Sequence, residues 1–304
     1  MSQHVETLIG YTTDRYPQFV RGVKEAMAVH PTRFEAIAEM YLGWAMEARG
    51  PSAIQASADA FVQFTTDVNL AQARYEATGA YEHHSFEEVY RQHYNQDEAM
   101  QGYLWGIYLT NFLWPHHLEI CLFFRDRFLR GIGESAELVE IAPGHGGWGI
   151  WALSVLPKCT LRAYDVSRSS IQIAGSLATA AGISDRVDYE ECDALDLVQR
   201  APESADAGIC CFLLEHLENP EKLFRVIHHL LRPGGRAFLT GALTAAQIDH
   251  IYEFRKESEL VLMAEEQGLR VVETLSASPK RLLPKARFVP RSMALIVEKG
   301  CDGR

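Results

Sequence analysis

The feature that most constrains this chain is a change of pattern near residue 138. Downstream of it, short apolar runs at 138–141, 161–164, 187–190, 207–211 and 236–240 read as strands. Helical segments such as 169–180 and 220–231 lie between them. Strands that alternate with helices in this way predict an α/β fold, a mainly parallel sheet covered on both faces. Farther on, 258–267 reads as a helix and 269–275 as a strand. A last strand, 292–297, follows a loop through Pro279, Pro284 and Pro290. Two closing strands joined by a loop alone can pair antiparallel.

Upstream, the chain reads as helix after helix. Phe34, Ile37, Ala38, Tyr41, Trp44 and Ala45 follow helical spacing after Pro31, and Gly50-Pro51 stops the run. A second stripe runs through Ile54, Ala58, Phe61, Val62 and Val68, with Thr65 as its polar interruption. Ser85 and Glu88 have the spacing of a capping box. An aromatic-rich helix over 97–113 ends at Pro115, and the next, through Leu118, Leu122 and Arg125, ends near Gly131. The expected organisation is a helical domain over 1–130, acting as lid and substrate binder, and a cofactor-binding domain over 131–304. At 304 residues the chain is long enough for both.

Glycines gather where the first strand meets its helix, in Glu140-Ile141-Ala142-Pro143-Gly144-His145-Gly146-Gly147-Trp148-Gly149. Such a turn is tight and lets a cofactor approach the backbone closely, where a side chain would collide. Read alone, Gly144-x-Gly146-x-x-Gly149 also fits a dinucleotide fingerprint. The neighbours narrow the choice. Asp165 ends the second strand, where a carboxylate can accept from both ribose hydroxyls; Asp193 follows the third, near the position of an adenine edge. Pro233-Gly234-Gly235 makes a turn into the fifth strand.

With these elements in this order, residues 138–299 resemble the class I S-adenosylmethionine-dependent methyltransferases. The resemblance implies a Rossmann-like seven-stranded sheet whose last strand is antiparallel. It implies S-adenosylmethionine as cofactor, leaving as S-adenosylhomocysteine. It also implies a binding set of Glu140, Ala142, Gly144, His145, Gly146, Asp165, Val166, Asp193, Ala194 and Phe212. Ala142 stands where the family usually has its first glycine, and Glu140 replaces the commoner Asp. An alanine there costs little if the backbone is in an ordinary region.

Methyl transfer from a sulfonium relies mainly on holding the acceptor in line, and a base is needed only when the acceptor must lose a proton. His216 and Glu215, in Leu213-Leu214-Glu215-His216-Leu217 after the fourth strand, are the candidate catalytic residues. Tyr103, Trp114, His117, His250 and Tyr252 are the candidate acceptor contacts. Tyr94, Trp105 and Tyr108 are further candidates for an apolar pocket wall, and Gln247 and Arg255 for a polar one. The adjacent pairs His83-His84 and His116-His117 point in different directions on a helix, so no metal site is expected.

A net charge of −11 disfavours nucleic acid and anionic membranes as partners. The fourth strand is followed by Phe212-Leu213-Leu214-Glu215 and lacks the Asn/Asp-Pro-Pro-Tyr/Phe run of amino-directed nucleic-acid methyltransferases. A small-molecule acceptor, in specialised natural-product biosynthesis, is the expected substrate. The six scattered cysteines and a start without signal-peptide character suit the cytoplasm. The apolar helical half leaves room for a homodimer interface. Two rival readings are an NAD(P)-dependent oxidoreductase and a methyltransferase-fold protein that binds the cofactor without transferring methyl.

Overall fold

The computed structural model describes residues 1–282 and 285–301, so Pro284 of the expected loop lies outside the described residues. Seven helices come first: α1 (Gln3–Arg15), α2 (Pro17–Val29), α3 (Pro31–Arg49), α4 (Ala53–Thr78), α5 (Phe86–Val89), α6 (Asp97–Leu113) and α7 (Pro115–Phe123). Their ends are set locally. Proline occupies the first turn of α2, α3 and α7, where its missing N–H is no loss. Gly79 closes α4 in the left-handed conformation. The expected capping box at Ser85 does not form: the Ser85 side chain makes no capping bond. Glu88 is drawn instead toward Gln92 and His83.

The remaining elements are β1 (Glu137–Ile141), α8 (Gly147–Val155), β2 (Thr160–Asp165), α9 (Arg168–Ala180), β3 (Val187–Glu191) and β4 (Ala205–Cys210). They continue with α10 (Glu221–Leu230), β5 (Leu231–Leu243), α11 (Glu257–Glu266), β6 (Leu269–Ala277) and β7 (Arg291–Lys299). The seven strands lie in the order β3-β2-β1-β4-β5-β7-β6. β1 to β5 pair in parallel, and β7 runs antiparallel between β5 and β6. This is the sheet expected from the sequence, each strand being a residue or more longer than its apolar run. β5 departs most, because Leu231 already pairs with Ala205 before the chain bulges through Pro233-Gly234-Gly235 and re-pairs at Arg236.

The helical half does not fold around a core of its own. One apolar cluster runs from Val5 and Leu8 through Tyr41, Phe112 and Phe124 to Trp148, Phe238 and Ile296 on one face of the sheet. α10 and α11 cover the other face, with Leu223, Phe224, Val226, Ile227 and Leu230 buried at helical spacing. α6 crosses α4 at Gly106, where a Cβ would sit 2.6 Å from that of Phe64. Only glycine permits this approach.

Candidate cofactor and acceptor site

The carboxyl ends of β1, β2, β4 and β5 open into a cavity of about 510 Å³, roofed by α4, α6 and α7. Open α/β sheets bind ligands at this edge. Three strands leave it through non-glycine residues with left-handed backbone: Ala142 (φ 52°) after β1, Phe212 (φ 54°) after β4 and Thr244 (φ 47°) after β5. Ala142 is therefore not in an ordinary region, and its Cβ costs about 1 kcal/mol there. Strain of this kind gathers at ligand sites.

The glycine loop is fastened from two sides. Asp165 accepts from the Gly144 amide through Oδ2 (3.0 Å) and from the Ser167 amide through Oδ1 (2.8 Å). It thus ties the loop after β1 to the turn that starts α9. Burial pushes its carboxyl up to about 6, against the opposing pull of these amides. His145 is buried, accepts from the Gly147 amide at Nδ1 (2.9 Å) and lies 3.2 Å from the Asn111 side chain. Burial takes its pKa down to about 3, so the ring is neutral and serves as a brace between loop and α6. Glu140 is behind the loop rather than on the cavity. Its Oε1 accepts from the Gly149 amide (3.2 Å), and a Cβ at Gly149 would collide with Oε2.

Ala142, Gly144, His145, Asp165, Val166 and Phe212 all line the cavity. Gly146 instead faces α9, where a Cβ would lie 2.7 Å from that of Ala174. Asp193 is exposed and caps the turn after β3 by accepting from the Leu195 amide (2.8 Å). Neither it nor Ala194 lines the cavity.

The wall formed by the helical half is mostly apolar and aromatic. Tyr94, Tyr103 and Trp114 line it, as does His117, whose ring stacks on Phe212 at 4.9 Å. Trp105 and Tyr108 do not. Trp105 sits under Arg49, and Tyr108 donates to the Tyr41 carbonyl (2.8 Å). Thr65, the polar interruption of the α4 stripe, faces the cavity, and its buried hydroxyl has no partner among the described residues.

One end of the cavity is polar. Glu215 and His216 line it, on a short 3-10 turn after β4. The Glu215 carbonyl accepts from the amides of Ile251 (2.8 Å) and Tyr252 (3.0 Å), which pins the segment after β5 against this turn. His216 Nδ1 lies 2.8 Å from the Tyr94 hydroxyl and 3.1 Å from the Asp249 carbonyl. The Tyr94 hydroxyl donates to Asp249 Oδ2 (3.1 Å). Burial pushes the Asp249 carboxyl up, but its neighbours His216 and His250 and the tyrosine hydroxyls outweigh this and hold it below the usual carboxylate range. Burial pushes the Glu215 carboxyl up instead, with His216 opposing. His250 does not line the cavity, but its ring is 4.9 Å from that of His216. Tyr252 packs on Phe254 and Arg255 pairs with Glu253, so neither faces the cavity; Gln247 does. Asp249 was not singled out by sequence. The only hint was its place in the polar run Gln247-Ile248-Asp249-His250, because the contact that gives it a role spans from residue 94.

A Rossmann-like sheet with a glycine loop after β1 and an acid ending β2 defines a protein that binds a nucleoside-containing cofactor. Residues 139–237 match the family described as methyltransferase domain. The chain is 31% identical over 132 residues to the ubiquinone biosynthesis O-methyltransferase of Cupriavidus pinatubonensis, covering 37% of this chain and 52% of that protein. It is 30% identical over 150 residues to the enzyme of the same name from Chromobacterium violaceum, covering 43% and 63%. The chain thus spans about half the length of the curated relatives it matches. The fold is shared with phosphoethanolamine N-methyltransferase 2 of Haemonchus contortus in complex with S-adenosylmethionine, at a TM-score of 0.53 and 16% identity, over 72% of this chain and 61% of that one. Residues 139–237 are thus similar to a methyltransferase domain, on the Rossmann-like fold that the solved methyltransferase shares. Among the described residues, no helix is long and apolar enough to cross a membrane.

Proposed function

We propose that this protein moves a methyl group from S-adenosylmethionine to a small, mainly apolar acceptor bound in the cavity. The observation that carries this reading is the cavity itself. It runs from the glycine loop and Asp165 to a buried polar end, between walls that are mainly apolar. When bound, S-adenosylmethionine supplies an activated methyl group. The residues present fit it: Gly144 is in a conformation that favours glycine (φ 56°), and each Asp165 oxygen keeps a lone pair beyond its amide bond. Ala142, His145, Val166 and Phe212 would enclose the cofactor, Glu140 and Gly146 would shape its loop from behind, and Asp193 with Ala194 would meet the adenine at the exposed rim.

The acceptor would lie against Tyr103, Trp114 and His117, with its reactive atom toward Glu215 and His216. The naming of the curated relatives as O-methyltransferases supports a hydroxyl acceptor, whose proton would leave at this polar end. The family match begins at residue 139, so the helices that form the acceptor wall lie outside it. That difference supports an acceptor of the chain's own rather than one shared with these relatives. The helical half would act as the lid, and the protein would work in the cytoplasm with neither nucleic acid nor membrane as partner.

Calorimetric titration with S-adenosylhomocysteine tests the cofactor half of this proposal. Micromolar binding to the wild type, weakened at least about tenfold in Asp165→Ala through loss of hydrogen bonds to a charged group, is the expected result. Absence of binding to well-folded wild type would sink it, and binding of NADH instead would favour an oxidoreductase. Binding without S-adenosylhomocysteine release across a panel of hydroxylated aromatic acceptors would favour a fold that no longer transfers methyl.

A further inference from the structure

Beside the acceptor end of the cavity lies a group of side chains that methyl transfer as such does not require. Glu215, His216 and His250 each bring one ligand atom to within 4.8 Å of the others, and all three are buried. Glu215 is 0% exposed, and neither of its carboxylate oxygens has a hydrogen-bond partner among the described residues. The amides of Glu215 and Ala242 lie near it without forming a well-aligned bond. A buried carboxylate left in this state is expensive unless something cationic meets it.

The histidines are prepared in the same way. His250 Nδ1 donates to the Ala245 carbonyl (2.7 Å), which leaves the lone pair on Nε2, and that atom is buried without a partner among the described residues. His216 Nδ1 faces the Asp249 carbonyl and the Tyr94 hydroxyl, which passes its own proton to Asp249 Oδ2. Holding one ring nitrogen as a donor to oxygen fixes the tautomer and aims the other nitrogen at a metal. Two imidazoles and one carboxylate, with a second buried carboxylate behind, suit a divalent first-row transition ion far better than Mg²⁺ or Ca²⁺, which favour oxygen.

We propose that Glu215, His216 and His250 form a binding site for one divalent transition-metal ion, Zn²⁺ or a chemically similar ion, at the polar end of the cavity. The sequence carries no recognisable metal spacing here, since β5 and its following turn separate His216 from His250. Glu215 and His216 line the cavity, so the ion's remaining positions open onto it. An oxygen-bearing acceptor would occupy them and be held and acidified by the ion. Ion binding follows from the cluster alone; only this role toward the acceptor rests on the proposed methyl transfer.

The test uses untagged, chelator-treated protein titrated with Co²⁺, read by its visible d–d absorption and by calorimetry, with S-adenosylhomocysteine titrated into the same samples. One equivalent of Co²⁺ should bind and be displaced by Zn²⁺. Glu215→Gln, which keeps the shape, and His250→Ala should each weaken binding at least about tenfold while S-adenosylhomocysteine binding persists. Absence of a saturable equivalent in the wild type would overturn the proposal, as would binding that both variants leave unchanged. If a variant fails to fold, X-ray absorption of the Zn²⁺-loaded wild type decides. A shell of two imidazoles with oxygen supports the site, and a sulfur shell refutes it. Loss of S-adenosylhomocysteine binding with Co²⁺ binding intact would strike the methyltransferase reading instead.

Discussion

Glu140 offers a quantitative test of how the glycine loop is built. It is buried at 1% exposure, with one oxygen on the Gly149 amide and the other without a partner among the described residues. Burial raises its pKa from 4.5 to about 8; the Gly149 amide opposes the rise and the Asp165 charge adds to it. In the unfolded chain the carboxyl ionises near 4.5, so between there and about 8 the folded state holds the extra proton. Its contribution to stability is therefore fully present below pH 4.5 and is lost as pH rises through about 8. At about 1.4 kcal/mol per pH unit, the loss between about pH 5.5 and 8.5 reaches roughly 3 kcal/mol. Glu140→Gln keeps the acceptor for Gly149 and removes the ionisation. Urea unfolding of both proteins across this range should give a wild-type stability that falls faster with pH than that of the variant. By about pH 8.5 the variant should have gained about 3 kcal/mol relative to wild type. Parallel curves, within about 0.5 kcal/mol, would refute the reasoning, because a carboxyl that stayed ionised at neutral pH would show no such divergence.

Two further outcomes follow from the geometry. Ala142→Gly should stabilise the protein by about 0.5 kcal/mol, since relief of the left-handed strain slightly exceeds the added chain entropy; a loss above about 1 kcal/mol in urea unfolding would show that the Ala142 methyl packs productively. Gln72→Leu should destabilise by about 2–3 kcal/mol, because Gln72 accepts from the Ala246 amide (2.8 Å) and donates to the Thr244 carbonyl (3.3 Å) from a buried position. An unchanged unfolding midpoint would mean that water replaces both bonds.

The sheet was legible because each of its signals is local. Apolar runs of strand length, the glycines at 144 and 146 and the acid at 165 all lie within a few residues of the element they define. Even the antiparallel closing pair could be read from a loop-only connection. What failed to show in the sequence depends on distant partners. Ser85 and Glu88 have capping spacing, yet His83 and Gln92 hold Glu88 elsewhere. The backbone of Ala142 is set by the turn after β1, whose first amide donates to the Tyr164 carbonyl (2.8 Å), and no property of alanine signals it. Tyr252 and His250 are neighbours in sequence, but one packs outward on Phe254 and the other reaches His216. The polar end required Tyr94, His216 and Asp249 to meet, and a meeting across more than a hundred residues leaves no periodicity to find.

The Gln72 contacts with Thr244 and Ala246 also bear on how the chain is made. They join residues 172 and 174 positions apart, and Tyr75 and Tyr81 on the same side bond to Glu253 and Ala245. At a translation rate of about 5–20 residues per second, the helical half leaves the ribosome roughly ten seconds or more before its partners exist. Throughout that interval Tyr41, Phe112 and Phe124, which finish against the sheet, lack the surface they are shaped to meet. The nascent N-terminal helices are thus a natural client for a holding chaperone, and a slow codon stretch within the sheet region would lengthen their exposure.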